Sequence, residues 1–152
     1  MAHEGIKLLA ENRKARFDYT IIESLECGIA LEGTEVKSLK SGRFSFSDSY
    51  AKIRGDQLIL VGFHITPYPF GSLFNHDPDR ERILLAHKQE IKKLRRKTDE
   101  KGLTLVPLKI YLKKGYVKIE IGVCQGKKLY DKRESIKERD QKRDAQREAH
   151  RY

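Results

Sequence analysis

Three stretches carry most of the chemistry this chain could do, and all three are cationic. Asn12-Arg13-Lys14-Ala15-Arg16 sets three cations around one alanine. The segment from His87 to Thr98 holds Lys88, Lys92, Lys93, Arg95, Arg96 and Lys97, with Glu90 as its one acidic residue. The run from Gly126 to Tyr152, GKKLYDKRESIKERDQKRDAQREAHRY, is almost wholly charged. Guanidinium and ammonium groups are donors only, and phosphate oxygens are acceptors only, so such runs suit a nucleic-acid backbone. For the first stretch a solvated lead-in to a strand stands equally open. For the second a solvated helix face does.

Catalytic chemistry has no comparable footing. Gly122 through Lys128, GVCQGKK, is too short between its glycines for a phosphate loop and has Lys128 where a magnesium-holding hydroxyl belongs. His3, His64, His76, His87 and His150 form no metal-ligand spacing with each other or with Cys27 and Cys124. Cys27 paired with a histidine is a conceivable nucleophile, but no local signature supports it. No metal and no cofactor is expected.

The composition agrees. The chain has 152 residues, 38% of them hydrophobic, and a formal charge of +10. Its isoelectric point is about 9.6. That length suits one domain with a modest core, and that charge favours a polyanionic partner, nucleic acid first. The longest apolar run, Leu58-Ile59-Leu60-Val61, is far short of a membrane span. Two cysteines without CxxC spacing suggest neither a metal framework nor a secreted scaffold, so a reducing cytoplasm and no membrane contact are expected.

The elements that must position the basic residues read mostly as strands. Residues 1–11 are weakly patterned and expected to fray. Phe17–Glu23 and Cys27–Leu31 read as two strands, and Glu35–Lys40 as a short helix capped by Thr34, with Val36 and Leu39 facing the core. Ser49–Arg54 and Gln57–Ile65 form a hairpin about Gly55-Asp56, with a bulge or bend at Gly62. A proline-rich loop, Thr66–Asp79, carries Tyr68, Phe70 and Phe74, read as a plug for the barrel end in preference to a base-stacking surface. A helical turn is expected at Asp79–Arg82, and Ile83–Leu85 is too short to assign by period. His87–Thr98 is helical, with His87, Ile91 and Leu94 on one stripe, and Gly102 ends it. Leu103–Leu112 is a strand in which Pro107 marks an edge or bulge, and Tyr116–Val123 pairs with it. About six antiparallel strands with two helices favour a closed oligonucleotide-binding (OB) type barrel over residues 12–125, followed by a basic tail over residues 126–152.

That tail has no apolar face. Glu134–Lys137, Asp140–Arg143, Asp144–Arg147, Glu148–Arg151 and Glu138–Lys142 lie at helical spacing. At about 0.2–0.5 kcal/mol each, such pairs do not offset the cost of a helix nucleus. The tail is expected to be disordered when free and helical when bound.

Taken together in this order, the motifs Asn12–Arg16, Gly33-Thr34-Glu35-Val36-Lys37-Ser38-Leu39, Asp48-Ser49-Tyr50-Ala51, Ile65-Thr66-Pro67-Tyr68 and His76-Asp77-Pro78 with Arg80 and Arg82 resemble the SmpB family. So do Glu90-Ile91, Gly102–Leu108, and Gly126-Lys127-Lys128 followed by Asp131-Lys132-Arg133-Glu134. The resemblance implies an OB-type barrel and a non-enzymatic role in trans-translation. Its expected partners are transfer-messenger RNA (tmRNA), bound by its tRNA-like domain, and the ribosome, mainly small-subunit rRNA. A monomer, one per tmRNA, is expected. By the same resemblance Asn12, Arg13, Lys14, Arg16, Glu26, Glu35, Lys37, Leu85 and His87 are RNA-binding positions. His87 stands where some members carry asparagine. The tail residues acting at the decoding centre and in the empty message channel would be Gly126, Lys127, Lys128, Tyr130, Asp131, Lys132, Arg133, Ile136, Lys137 and Arg139. Tyr130 replaces a histidine of some members, a change that keeps a stacking role and not a protonation role. Two other readings compete: a general ribosome- or RNA-associated OB-fold protein without tmRNA specificity, and an enzyme.

Overall fold

The structure, a computed structural model, describes residues 5–69 and 75–126. Among these, nine strands and three helices run, in chain order, β1 (Ile6–Glu11), α1 (Arg13–Asp18), β2 (Tyr19–Ile29), α2 (Gly33–Lys40), β3 (Phe44–Ser45), β4 (Tyr50–Arg54), β5 (Gln57–Val61), β6 (His64–Ile65), β7 (Arg82–Leu85), α3 (Lys88–Lys101), β8 (Thr104–Lys113) and β9 (Tyr116–Gly126). The expected behaviour of the tail falls on residues 127–152, outside the described residues. Phe70 and Phe74 lie outside them too.

The ladder closes on itself. The order is β1-β8-β4-β5-β7-β2-β9, and β9 pairs again with β8, so six strands form a closed antiparallel barrel with β1 added alongside β8. Closure removes the exposed edges that an open sheet would leave. The interior is filled by alternating side chains, among them Leu58, Leu60, Leu84, Leu105, Ile110, Ile119 and Ile121, all at or near zero exposure. Ile91 and Leu94 of α3 pack into the same core.

Several expectations change. Residues 6–11 do not fray: they pair with β8, Ile6 opposite Lys113 and Glu11 opposite Lys109. Their backbone donors and acceptors are satisfied by a strand some hundred positions away, which no local pattern announces. Arg13–Asp18 is a helical turn capped by Asn12, whose Oδ1 accepts from Ala15 N–H at 3.2 Å. The two short strands predicted between residues 17 and 31 are one strand, β2, bulged between Ile21 and Glu23 against β9. No helical turn forms at 79–82, because Arg82 begins β7.

Two special residues behave as their chemistry requires. Gly62 has φ +77° and separates β5 from β6, with its Cα side against Ser49; a side chain there is strained. Pro107 sits in β8 between the β4 partner residue Leu105 and the start of β1 pairing at Lys109, with a bulge toward β9. Its missing N–H therefore leaves no ladder bond unmade. Its carbonyl accepts from Asn12 Nδ2 at 2.9 Å, which ties α1 to the barrel.

The core-facing side of α2 is Glu35, Ser38 and Leu39, with Val36 only half-buried. The aromatic cluster is the buried Phe63 with the half-buried Phe44 and Phe46, ring centroids 5.6–6.2 Å apart. Tyr68, expected to plug the barrel, instead lies 5.5 Å under the Lys37 ammonium.

Candidate nucleic-acid interface

The outer face of the barrel carries a continuous cross-strand row. Leu8 of β1 is opposite Tyr111 of β8, Tyr111 is opposite Lys118 of β9, Lys118 is opposite Gly28 of β2, and Gly28 is opposite Leu85 of β7. A second row, offset by two residues, runs Glu11, Lys109, Glu120, Glu26. The β2–β7 pairing ends at Leu85, two residues before His87, the N-cap of α3. Strand alternation makes this face: Cys27, Ile110 and Ile119 point into the core, so their neighbours point out.

The face is part apolar and part charged. Leu85 is 58% exposed, Leu8 53% and Ile83 40%. Leu85 stands free partly because its cross-strand partner is Gly28: a Cβ on Gly28 would lie 3.2 Å from Leu85 Cβ. Glu26 is held by two donors, the Tyr111 hydroxyl at its Oε2 and Lys113 Nζ, 3.3 Å from its Oε1. The Tyr111 hydrogen bond, with Lys113 adding to it, holds the Glu26 carboxyl below the usual glutamate range. Burial above all, with Glu26 beside it, pushes the Tyr111 phenol up, so Tyr111 stays a neutral donor. His87 carries an open ring: its backbone N–H donates to Glu90 Oε1 at 3.2 Å, while its side chain is 91% exposed. Of the stripe His87, Ile91 and Leu94, the last two are buried and His87 lies outside the core.

Of the nine body residues expected to contact RNA, Glu26 and Leu85 lie on this face, with exposed His87 two residues after Leu85. Arg13, Lys14 and Arg16 lie on α1, at the other end of β2, where Tyr19 is opposite Gly126. There Lys14 Nζ pairs with Asp48 at 2.7 Å and Arg16 with Glu11 at 2.7 Å. Asn12 is buried and engaged as cap and strut. Lys37 is exposed on α2.

Glu35 corrects its expected role. It is fully buried, accepts from Arg82 Nε at 2.6 Å and from Arg80, and accepts from the Glu32 N–H at 2.8 Å. Arg82, also fully buried, spends its remaining donors on the carbonyls of Phe63, Arg80, Asp77 and Pro78. His76 joins α2 to the same loop, with Nε2 2.8 Å from Ile65 O and Nδ1 2.8 Å from Thr34 Oγ1. A carboxylate with no exposed surface cannot touch RNA. Its motif is a structural rivet.

Residues that sequence reading passed over complete the face: Tyr111, Lys113 and Lys118. The alternation of β8 gave a signal, since Lys109, Tyr111 and Lys113 share one side of the strand, but their neighbourhood to Glu26 is a matter of register.

α3 turns Lys88, Lys92, Lys93 and Arg96 outward. Lys97 pairs with Glu23, and Arg95 donates to Gly55 O, so the helix is strapped across the end of the barrel. Among the described residues no cluster of three or more His, Cys, Asp or Glu could hold a metal, and no helix is long and apolar enough to cross a membrane.

The model of the family described as SmpB protein matches residues 9–151. This chain belongs to the SmpB family. It is 55% identical to the SsrA-binding protein of Treponema denticola over 148 residues, 97% of this chain and 96% of that one. It is likewise 55% identical to the SsrA-binding protein of Trichodesmium erythraeum, over 98% of this chain and 96% of the relative. A chain in a solved structure described as "tmRNA-SmpB: a journey to the center of the bacterial ribosome" is 48% identical, with a TM-score of 0.69, covering 86% of this chain and 95% of that one. The antiparallel, mainly β SmpB architecture is thus shared with an SmpB chain solved in that setting. The OB-type barrel read from strand count and bends stands.

Proposed function

We propose that this protein is the RNA-binding adaptor of trans-translation. Its body binds the tRNA-like domain of tmRNA and delivers that RNA to stalled ribosomes. The observation that carries this reading is the near-full-length identity to SsrA-binding proteins, joined to an outer face that presents Glu26, Leu85 and His87 together.

The body arranges two jobs at opposite ends of one strand. The Glu26–Leu85–His87 face lies toward the end of β2, and β9 finishes at Gly126 beside the basic α1 at its beginning. Seven residues of strand separate Tyr19 from Glu26, roughly 23 Å at 3.3 Å per residue. The face takes the RNA. The tail, residues 127–152, acts at the decoding centre and in the empty message channel, with Lys127, Lys128, Tyr130, Asp131, Lys132 and Arg133 first and Ile136, Lys137 and Arg139 after them in sequence. Arg13, Lys14 and Arg16 supply phosphate contacts. The protein acts as a monomer, one per tmRNA, in the cytoplasm, and it is not an enzyme; the buried state of both thiols supports that last point.

The test separates binding from delivery. A chain lacking residues 131–152 is measured for retention of the tRNA-like RNA over bulk tRNA, and separately for release of stalled ribosomes. Retained selective binding with release lost is expected. Equal binding of bulk tRNA returns the protein to the general RNA-binding class, and joint loss of both activities counts against the division of labour.

A further inference from the structure

A carboxylate on a face built for RNA needs a reason. Phosphates repel it, and its side chain is 39% exposed and outside the core. The polar neighbours of Glu26 on this face are Tyr111, Lys113, Lys118, Lys109 and Glu120, set by the pairings of β8, β9 and β2. Glu120 lies directly opposite Glu26, so the pair would repel without the cations that flank them.

Tyr111 does not sit beside Glu26. It belongs to β8, and β9 runs between β8 and β2. Its phenol reaches across the intervening strand, one step off the row, to place its hydroxyl on Glu26 Oε2, while Lys113 from the same side of β8 approaches Oε1. Such a reach adds little to the core. What it does is remove the rotamer freedom of a glutamate that would otherwise swing in solvent, a cost that binding would have to meet later.

We propose that Tyr111 is a positioning residue for RNA recognition, holding the Glu26 carboxylate as a fixed acceptor for a neutral N–H or O–H donor of an RNA nucleoside. This rests on the assignment of the outer face to RNA. An ionised carboxylate accepts only and offers about four lone-pair directions. Tyr111 and Lys113 occupy one on each oxygen, leaving an acceptor on both. Phosphate carries no donor for them. The donors RNA does offer are the amino and imino groups of an unpaired base edge and the ribose 2′-hydroxyl. Glu26 therefore contributes selectivity where the lysines around it contribute salt-dependent attraction. The depressed Glu26 carboxyl and the raised Tyr111 phenol are consistent with this: acceptor and donor keep those roles throughout the neutral range.

The experiment uses the full chain and a transcript of the tRNA-like domain of tmRNA. Binding is measured against salt for Tyr111→Phe, Glu26→Gln and the double variant, with thermal melts to confirm folding and the Glu26 carboxyl followed by carbon NMR. Tyr111→Phe is expected to weaken binding about tenfold, the scale of a lost hydrogen bond to a charged group. The salt slope stays unchanged and the Glu26 carboxyl titrates at higher pH. The double variant binds no more weakly than Glu26→Gln alone. Affinity unchanged in Tyr111→Phe, or losses that multiply in the double variant, overturns the proposal while leaving the face assigned to RNA. Affinity unchanged in Glu26→Gln overturns both. A transcript with 2′-deoxy sugars distinguishes the two donor sources: loss of the Glu26-dependent affinity assigns the ribose hydroxyl, and its retention assigns a base amino or imino group.

Discussion

Arg82 and Glu35 are both completely buried, and the guanidinium Nε donates to the carboxylate at 2.6 Å. One comes from β7 and the other from α2, 47 positions apart in sequence. Arg80 shares the same carboxylate, so one acidic residue is the counter-ion shared by two cations, while the rest of the Arg82 fork is filled by four backbone carbonyls. A buried pair of this kind adds little beyond a hydrophobic replacement, but breaking it strands an unpaired charge.

Glu35→Ala is therefore expected to destabilise the fold by about 3–5 kcal/mol, measured by urea unfolding, while the folded fraction keeps its RNA affinity. The acid limb depends on the same residue. Burial alone would raise the Glu35 carboxyl, but hydrogen bonds from Arg80, the Glu32 N–H and Arg82 outweigh it and hold it below the usual range. A carboxyl depressed in the folded state contributes its stability in full above its unfolded value and loses it as pH falls through the folded one. Stability should fall as the solution is acidified below the ordinary glutamate range, and a Glu35→Gln variant should show a shallower fall.

Leu85→Ala tests whether the apolar half of the outer face binds. With 58% of the residue exposed, its loss should change folding stability by no more than about 0.5 kcal/mol. Covering the exposed part of a leucine is worth about 1 kcal/mol, so affinity for the tRNA-like RNA should drop about fivefold with no change in salt slope. A filter-binding titration at several salt concentrations reads both.

Lys14 is already paired with Asp48, so a phosphate must compete with that carboxylate. The Asp48 hydrogen bond raises the lysine, which stays charged throughout. Lys14→Gln should lower the slope of log affinity against log salt by about 1, and Asp48→Asn should strengthen binding at low salt. An unchanged slope in Lys14→Gln would remove α1 from the set of phosphate contacts.

Both thiols should be silent in the native protein. Burial, with smaller help from Glu90 and Glu26, pushes Cys27 up to about 12, and burial pushes Cys124 up to about 11. Iodoacetamide at neutral pH should label neither residue until urea unfolds the chain, when mass spectrometry should find both alkylated. Native labelling of Cys27 would reopen the enzymatic reading.

Features dictated by neighbouring residues were legible in the amino-acid sequence. Alternation marked the β4–β5 and β8–β9 hairpins, with Gly55-Asp56 and Lys114-Gly115 as their turns. Gly102 ended α3 because its φ of +63° closes the helix, and Pro107 marked a bulge. The excess of cations pointed to RNA, and the order of the motifs pointed to the family. Other features depend on which strands become neighbours in space, and these waited for the fold. Residues 6–11 look featureless because their partner is β8. Glu35, read on its motif as an RNA contact, is a buried counter-ion because Arg80 and Arg82 arrive from the far side of a loop. Glu26, Leu85 and His87 become one surface, and Tyr111 becomes part of it, only when barrel closure sets the register of β7, β2, β9 and β8. Side-chain period can say that a residue faces outward; it carries no record of what stands beside it.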